Sequence, residues 1–342
     1  MERQRILVWL PSPMGDIIMC TPALHALRQC FRDATLTFYG NGVARAMLDA
    51  SALADEWLTP CSTFRAVRRL RRQRFSLGIL FKGSLGSAAT FLLAGIPQRV
   101  GYARDGRGLF LTKRLHPPRL PNRRFAPTPM VDYYLNIVKS LGHAVAPGLP
   151  CLLVAERDQL SLDRLYPELS HIEGPLVILV PGSAFGPSKC WPAGHFARTA
   201  ETLIRDCRAH IVLSVSPDAQ ERRVAQTIVA ACRFPVTNVA DRPLSLGQLK
   251  ALFSRADLVI TNDTGPRHIA IALQRKVITL FGPNDPAWTQ TGYDQEIQLV
   301  GTGPCVPCQR PTCAHPEVAC METISVDRVC QAARNMLCSF FL

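Results

Sequence analysis

Asn262-Asp263-Thr264-Gly265 closes an apolar strand (Leu258 to Ile260) and opens a short helix. Where such a strand meets a helix N-terminus, free backbone N–H groups point outward and bind phosphate; the plainer alternative is that Asp263 only caps the helix. Val177 to Phe196 has the same grammar, an apolar strand, a loop rich in Gly and Pro, then a helix, with Lys189 in the loop. A loop lysine at that edge is a mobile point charge suited to a diphosphate, although a solvated lysine is the commoner fate. Near the amino terminus, Ile6 to Leu10 reads as a buried strand and Pro11 to Asp16 as a tight turn. A helix follows from Ile17 to Cys30, with Ile17, Ile18, Leu24 and Leu27 at helical spacing. Asp16 falls in its first turn, where the helix terminus holds a carboxylate ionised and ready to take a proton; here too a cap is the plain reading. Glu221, with Asp218 as the alternative, follows the strand ending near Val215 and is placed to hold ribose hydroxyls.

The elements that must position these groups recur in α/β order. Strands read at Ile6 to Leu10, Leu36 to Tyr39, Leu77 to Phe81 and Val100. After Pro147-Gly-Leu-Pro150 a second series opens at Leu176 to Val180, Ile211 to Val215, Val236 to Val239, Leu258 to Ile260 and Val277 to Phe281. Helical segments between strands imply parallel sheets, and 342 residues suit two domains rather than one core.

Gly182 to Pro192, Asn262 to Ala272 and Phe281-Gly-Pro-Asn-Asp-Pro286 together resemble glycosyltransferase family 9, the ADP-heptose:lipopolysaccharide heptosyltransferases, most closely the heptosyltransferase II branch. Arg99 to Thr112 and Val131 to Ile137 also look like segments of that family, so the resemblance covers most of the chain. It implies an α/β fold of GT-B type, two doubly wound Rossmann-like domains facing across a cleft. The acceptor would lie on residues 1–150 and the nucleotide sugar on 151–325, with the helix of 326–342 returning to the first domain. The implied reaction is inverting transfer of L-glycero-D-manno-heptose from ADP-heptose to the lipopolysaccharide inner core. In it Asp16 is the general base, while Lys189 and the backbone amides around Thr264 and Gly265 stabilise the departing diphosphate. Donor binding is expected at Gly182, Ser183, Ser188, Lys189, Glu221, Asp263, Thr264, Gly265 and His268, the last of these reaching the phosphate or serving only as a core histidine. Acceptor binding is expected at Ser12, Arg99, Arg104 and Arg107.

The sequence departs from the family pattern in two places, which leaves the donor sugar open. Gly182-Ser-Ala-Phe-Gly-Pro-Ser188 lacks a threonine pair, and Pro266-Arg267 stands where an apolar pair is usual. The rival readings are a family relative using another sugar or a protein acceptor, and a non-catalytic module that binds lipid-linked saccharide.

Composition is that of a globular chain, 47% hydrophobic and 19% charged. The net charge of +13 is confined to residues 1–150, with 21 basic against 8 acidic, while the remainder balances at 18 and 18. Arg65 to Arg74 and Arg99 to Arg124 carry most of the excess, a basic face suited to an anionic acceptor, which the resemblance makes the lipid A-Kdo inner core, or to the inner-membrane surface, with a merely solvated face as the alternative for Arg65 to Arg74. No nucleic-acid partner is expected, because no helix-turn-helix, finger spacing or aromatic RNA-binding motif occurs. No apolar run of about 18 residues predicts a membrane span. The five apolar residues after Met1-Glu-Arg-Gln-Arg5 are too few for a secretory signal, so a cytoplasmic location is expected, associated with the membrane face. No cofactor is required for the implied chemistry. Among 13 cysteines, Cys305-x2-Cys308-x4-Cys313-x6-Cys320 has spacing suited to a structural zinc or iron ion, with reduced thiols or a disulfide as the alternatives.

Overall fold

The computed structural model describes residues 3–338; Met1 and Glu2 of the amino-terminal stretch, and residues 339–342 of the expected last helix, lie outside the described residues. The chain forms two compact units, one of Met1–Leu153 with Ala287–Gly292 and one of Val154–Pro286 with Tyr293–Leu342.

The first unit holds a six-stranded sheet of β1 (Arg5–Trp9), β2 (Thr35–Tyr39), β3 (Glu56–Leu58), β4 (Leu77–Leu80), β5 (Gln98–Tyr102) and β6 (Lys113–Leu115). Its order is β3-β2-β1-β4-β5-β6 and every pairing is parallel. The central strands are buried along almost their whole length, which is why they read as unbroken apolar runs. β3 and β6 escaped the sequence reading because edge strands lack that run: β6 is Lys-Arg-Leu and mostly exposed. The single helix expected from Ile17 to Cys30 is two helices, Met14–Met19 and Thr21–Cys30. Pro22 has no N–H to give the Ile18 carbonyl, and the Thr21 hydroxyl takes that carbonyl at 2.7 Å instead.

The second unit repeats the design with β7 (Leu176–Val180), β8 (His210–Leu213), β9 (Thr237–Asn238), β10 (Leu258–Asn262), β11 (Lys276–Phe281) and β12 (Glu296–Val300), ordered β12-β11-β10-β7-β8-β9 and parallel throughout. In each sheet the order reverses beside the first strand, between β1 and β4 and between β7 and β10. Ligands of doubly wound sheets bind at the carboxyl ends of the strands at that reversal. The described residues of helix Val326–Cys338 pack inside the second unit, beside helix Ala193–Cys207. Val329, Ala332, Ala333 and Met336 form an apolar stripe that enters this unit's core, and Arg334 pairs with Asp206 at 3.1 Å.

Gly78 in β4 lies under the fully buried Phe91 ring, and a Cβ there would come within 2.6 Å of it. Gly78→Ala should therefore cost about 1–3 kcal/mol, read as a lower urea midpoint with an unchanged slope.

Candidate active site

In the second unit, the loops after β7 and β10 meet at the reversal of strand order. Asn262, the last residue of β10, ties them: its Nδ2 donates to the Pro181 carbonyl at 2.9 Å, and its Oδ1 accepts from the Trp191 backbone N–H at 3.3 Å. Lys189 is not the mobile charge the sequence suggested. It is buried, and its Nζ donates to Oδ2 of Asp263 at 2.7 Å and to the Asp263 carbonyl at 2.8 Å. Asp263 is not a helix cap either; the residue preceding helix Gly265–Ala272 is Thr264, whose side chain makes no capping bond. The carboxylate also accepts from Arg267 Nη1 and from Asn284 Nδ2, each at 3.3 Å. Arg267 in turn grips Glu296 of β12 with Nε at 2.6 Å and Nη2 at 3.0 Å, and Thr279 and Gln298 complete the coordination of that carboxylate.

This chain of two cations and two anions is almost wholly buried, with side-chain exposures of 10% for Lys189, 5% for Asp263, 0% for Arg267 and 3% for Glu296. Burial alone would push both carboxyls up. The charge of Lys189, then that of Arg267, instead holds Asp263 below the ordinary carboxylate range, and the Arg267 hydrogen bond and charge do the same for Glu296. His268 is buried beside them; desolvation and then the Arg267 charge press its pKa down to about 3, so the imidazole is neutral at physiological pH. Its Nδ1, Ser183 Oγ and Asn284 Oδ1 are buried polar atoms without a hydrogen-bond partner, the kind of surplus that a ligand satisfies.

The loop bearing Lys189 is held from outside as well. Gly182 has no room for a Cβ, which would meet the Glu221 carboxyl group at 2.3 Å, and Glu221 Oε2 accepts from Ser216 N–H at 2.8 Å. Asp218 serves as the cap of helix Ala219–Ala231. Gly186, at φ +145°, lies against Pro311, while Ser188 donates its N–H to the Pro311 carbonyl at 3.1 Å and its hydroxyl to the Arg310 carbonyl at 2.5 Å.

In the first unit, Asp16 follows β1 on helix Met14–Met19 and is half-buried. Burial raises its carboxyl above the ordinary range, opposed only in part by a hydrogen bond from the Tyr134 hydroxyl. The expected dominance of the helix terminus is thus corrected: in a helix of six residues, desolvation wins. Lys82, just beyond β4, donates to Ser12 Oγ at 2.9 Å. Of the three expected acceptor arginines, two are committed to backbone: Arg99 donates to the Phe110 and Ile96 carbonyls at 2.6 and 2.5 Å, and buried Arg107 to those of Tyr102 and Gly83 at 2.7 and 3.0 Å. Arg104 stacks over Phe125 at 4.0 Å; burial raises the pKa of the Tyr133 phenol, whose ring stacks on Tyr102 at 3.7 Å, opposed in part by the charges of Arg107 and Arg104.

Residues 63–319 match the sequence model of glycosyltransferase family 9 (heptosyltransferase). The chain belongs to that family. It is 29% identical over 308 residues to lipopolysaccharide heptosyltransferase 2 of Escherichia coli K12, covering 83% of this chain and 84% of the relative. The solved structure of E. coli ADP-heptose lps heptosyltransferase II superposes with a TM-score of 0.80 at 24% identity, over 99% of this chain and 100% of the other. E. coli heptosyltransferase WaaC with ADP-2-deoxy-2-fluoro heptose gives a TM-score of 0.69 at 18% identity, over 97% and 99%. These likenesses agree with the GT-B type of two doubly wound parallel sheets.

In this glycosyltransferase, sequence reasoning missed Arg267 and Glu296 as a pair, together with Asn284, Lys82 and Tyr134. Arg267 stands four residues after Asp263, in the first turn of the helix that Asp263 precedes, so a pairing of the two opposite charges was legible. Glu296 was not, since β12 went unrecognised. The metal centre expected at Cys305, Cys308, Cys313 and Cys320 is also corrected: among the described residues, no group of three or more Cys, His, Asp or Glu side chains is placed to hold a metal ion. Cys320 is buried, with its sulfur 3.2 Å from where a Cβ on Gly282 would stand, and burial followed by the nearby thiols of Cys313, Cys308 and Cys305 pushes its pKa up. What the loop between Cys308 and Cys313 does supply is the pair of carbonyls under Ser188.

Glu296→Ala would leave Arg267 buried without its main partner and should cost roughly 3–5 kcal/mol in chemical denaturation. Acid should act through the same cluster. Between pH 6.5 and about 3 the unfolded His268 binds a proton that the folded one refuses, so stability falls as pH drops through this window. Asp263 and Glu296, held below 3.8 and 4.5, contribute fully above those values and lose their contribution as pH falls through their folded pKa values. Urea midpoints measured against pH should show the decline, and His268→Gln should flatten its upper part.

Proposed function

We propose that this enzyme transfers L-glycero-D-manno-heptose from ADP-heptose to the lipid A-Kdo inner core of lipopolysaccharide, with inversion at the anomeric carbon. The observation that carries the reading is the buried Lys189 ammonium, fixed by Asp263 where strand order reverses, in a family 9 chain. The relative named lipopolysaccharide heptosyltransferase 2 supports the reaction, and the WaaC structure with a fluorinated ADP-heptose supports the donor.

In this reading residues 1–150 take the acceptor and residues 151–325 the nucleotide sugar. Asp16 accepts the proton of the attacking hydroxyl as oxygen bonds to the anomeric carbon, and ADP leaves from the opposite face. A carboxyl raised by burial is a stronger base than an exposed one, while Tyr134 orients it and keeps enough of it ionised. Lys189 spends two of its three donors on Asp263, which leaves one for a diphosphate oxygen. That charge, the backbone amides around Thr264 and Gly265, and the Ser183 hydroxyl stabilise the departing ADP without a metal ion. Ser188 shapes the loop from below, and Glu221, beyond the second strand of its sheet, takes the ribose hydroxyls. His268, neutral and lacking a partner at Nδ1, completes the phosphate side. On the acceptor side, Ser12, Lys82 and Arg104 meet the phosphorylated core, while Arg99 and Arg107 hold the loop that presents Arg104. The lipid-linked acceptor places the reaction at the cytoplasmic face of the inner membrane. No helix among the described residues is long and apolar enough to cross a membrane.

Purified enzyme given ADP-heptose and a heptose-deficient core should release ADP and add one heptose by mass; release from another nucleotide sugar alone would overturn the donor. Asp16→Asn should lower turnover on the order of 100-fold or more while ADP binding by calorimetry is kept. The acid limb of the wild-type pH–rate profile should lie above the ordinary aspartate value of 3.8. Lys189→Ala should weaken ADP binding and slow transfer together, by roughly 1.5–3 kcal/mol; unchanged ADP affinity with lower folding stability would make the lysine purely structural.

A further inference from the structure

Helices Thr63–Arg72 and Leu85–Leu93 and the turn Arg107–Phe110 pack side by side over one face of the first sheet. Their inward positions, Ala66, Leu70, Ala88 and Phe91, fill a core against that sheet. Their outward positions are not ordinary polar surface. Phe64 is 78% exposed and Leu109 79%, and Leu85, Leu92 and Leu93 are exposed as well. Leu85 abuts the turn, its Cδ1 3.9 Å from where a Cβ on Gly106 would stand, so the apolar positions of the second helix continue into the turn. Among them stand the exposed Arg65, Arg68, Arg69, Arg71 and Arg72. No Asp or Glu occurs between Glu56 and Asp105, so nothing on these helices offsets that charge.

We propose that this face docks on an anionic lipid bilayer. A cluster of exposed leucines and a phenylalanine is unfavourable in water and marks an interaction surface. A polyanion such as nucleic acid would neutralise the arginines and leave the leucines wet, and an acidic protein would need its own apolar groove to receive them. A bilayer accepts both, with the apolar side chains entering the acyl boundary and the guanidinium groups meeting lipid phosphates. Leu85 follows the loop of Lys82, Gly83 and Ser84 at the carboxyl end of β4, so docking brings the bilayer to the sheet edge that carries Asp16. That consequence rests on the lipid-linked acceptor proposed above; the docking itself does not.

Co-sedimentation of the full chain with vesicles tests it. The protein should bind vesicles of phosphatidylglycerol and phosphatidylethanolamine, release as salt is raised, and bind pure phosphatidylcholine much less. Phe64→Ser with Leu93→Ser and Leu109→Ser should cut partitioning about ten-fold or more, because buried apolar area drives insertion. Arg65→Gln, Arg68→Gln and Arg72→Gln should each cost roughly five-fold. Both sets lie on the surface, so thermal melting should be unchanged, as should transfer to a detergent-solubilised acceptor, which separates loss of docking from loss of the reaction. Equal binding to both vesicle types, variants that bind like the parent chain, or preference for a single-stranded oligonucleotide over the anionic vesicles at the same ionic strength would overturn the proposal.

Discussion

The Lys189–Asp263 ion pair stands at the point where the loops after β7 and β10 converge, and it is buried so deeply that neither partner is tolerable there alone. Its stability depends on a second pair, Arg267 with Glu296, which reaches Asp263 from the other side. The four groups sum to zero charge, so the interior holds them without a net desolvated ion. Local elements serve this arrangement: Asn262 ties the two loops, Thr279 and Gln298 satisfy Glu296, and Arg310 and Pro311 brace the loop at Ser188. Lys189 thereby loses the freedom of an exposed side chain before any ligand arrives, which is the ordering cost a preorganised site avoids at binding.

One aspartate in each unit stands near the reversal of strand order, Asp16 in the helix after β1 and Asp263 directly after β10, and their environments drive them apart. Asp263 is flanked by two cations and stays ionised at unusually low pH, whereas Asp16 faces burial with only the Tyr134 hydroxyl to compensate and is raised. One carboxylate holds a cation, and the other is the one proposed to take a proton in the reaction. The same fold supplies both because the backbone fixes where the carboxyl stands and the neighbours decide what it does.

Much of this was legible in the sequence. Leu176 to Val180 reads as an unbroken apolar run and is a buried central strand; Asp16, Lys189 and Asp263 announced themselves as polar residues on loops after such strands. The edge strands β3, β6 and β12 were not legible, because a strand covered on fewer sides needs no apolar run, and with β12 went Glu296 and the meaning of Arg267. The fate of charged side chains was equally hidden. Lys189 read as mobile and is locked; Arg99 and Arg107 give donors to loop carbonyls, because carbonyls left outside a ladder need donors and an arginine supplies several. The cysteine spacing suggested a tetrahedral site, but spacing does not fix the geometry of the thiols, and among the described residues no three of them are placed to hold a metal ion.

The central claim is that Lys189 meets the nucleotide diphosphate while remaining paired with Asp263. A crystal structure of the enzyme with ADP tests it directly. A phosphate oxygen should lie within hydrogen-bond distance of Lys189 Nζ, with the contact to Asp263 Oδ2 kept near its present 2.7 Å and Arg267 still on Glu296. ADP bound away from the loops after β7 and β10, or a lysine that abandons Asp263 to reach the phosphate, would contradict it.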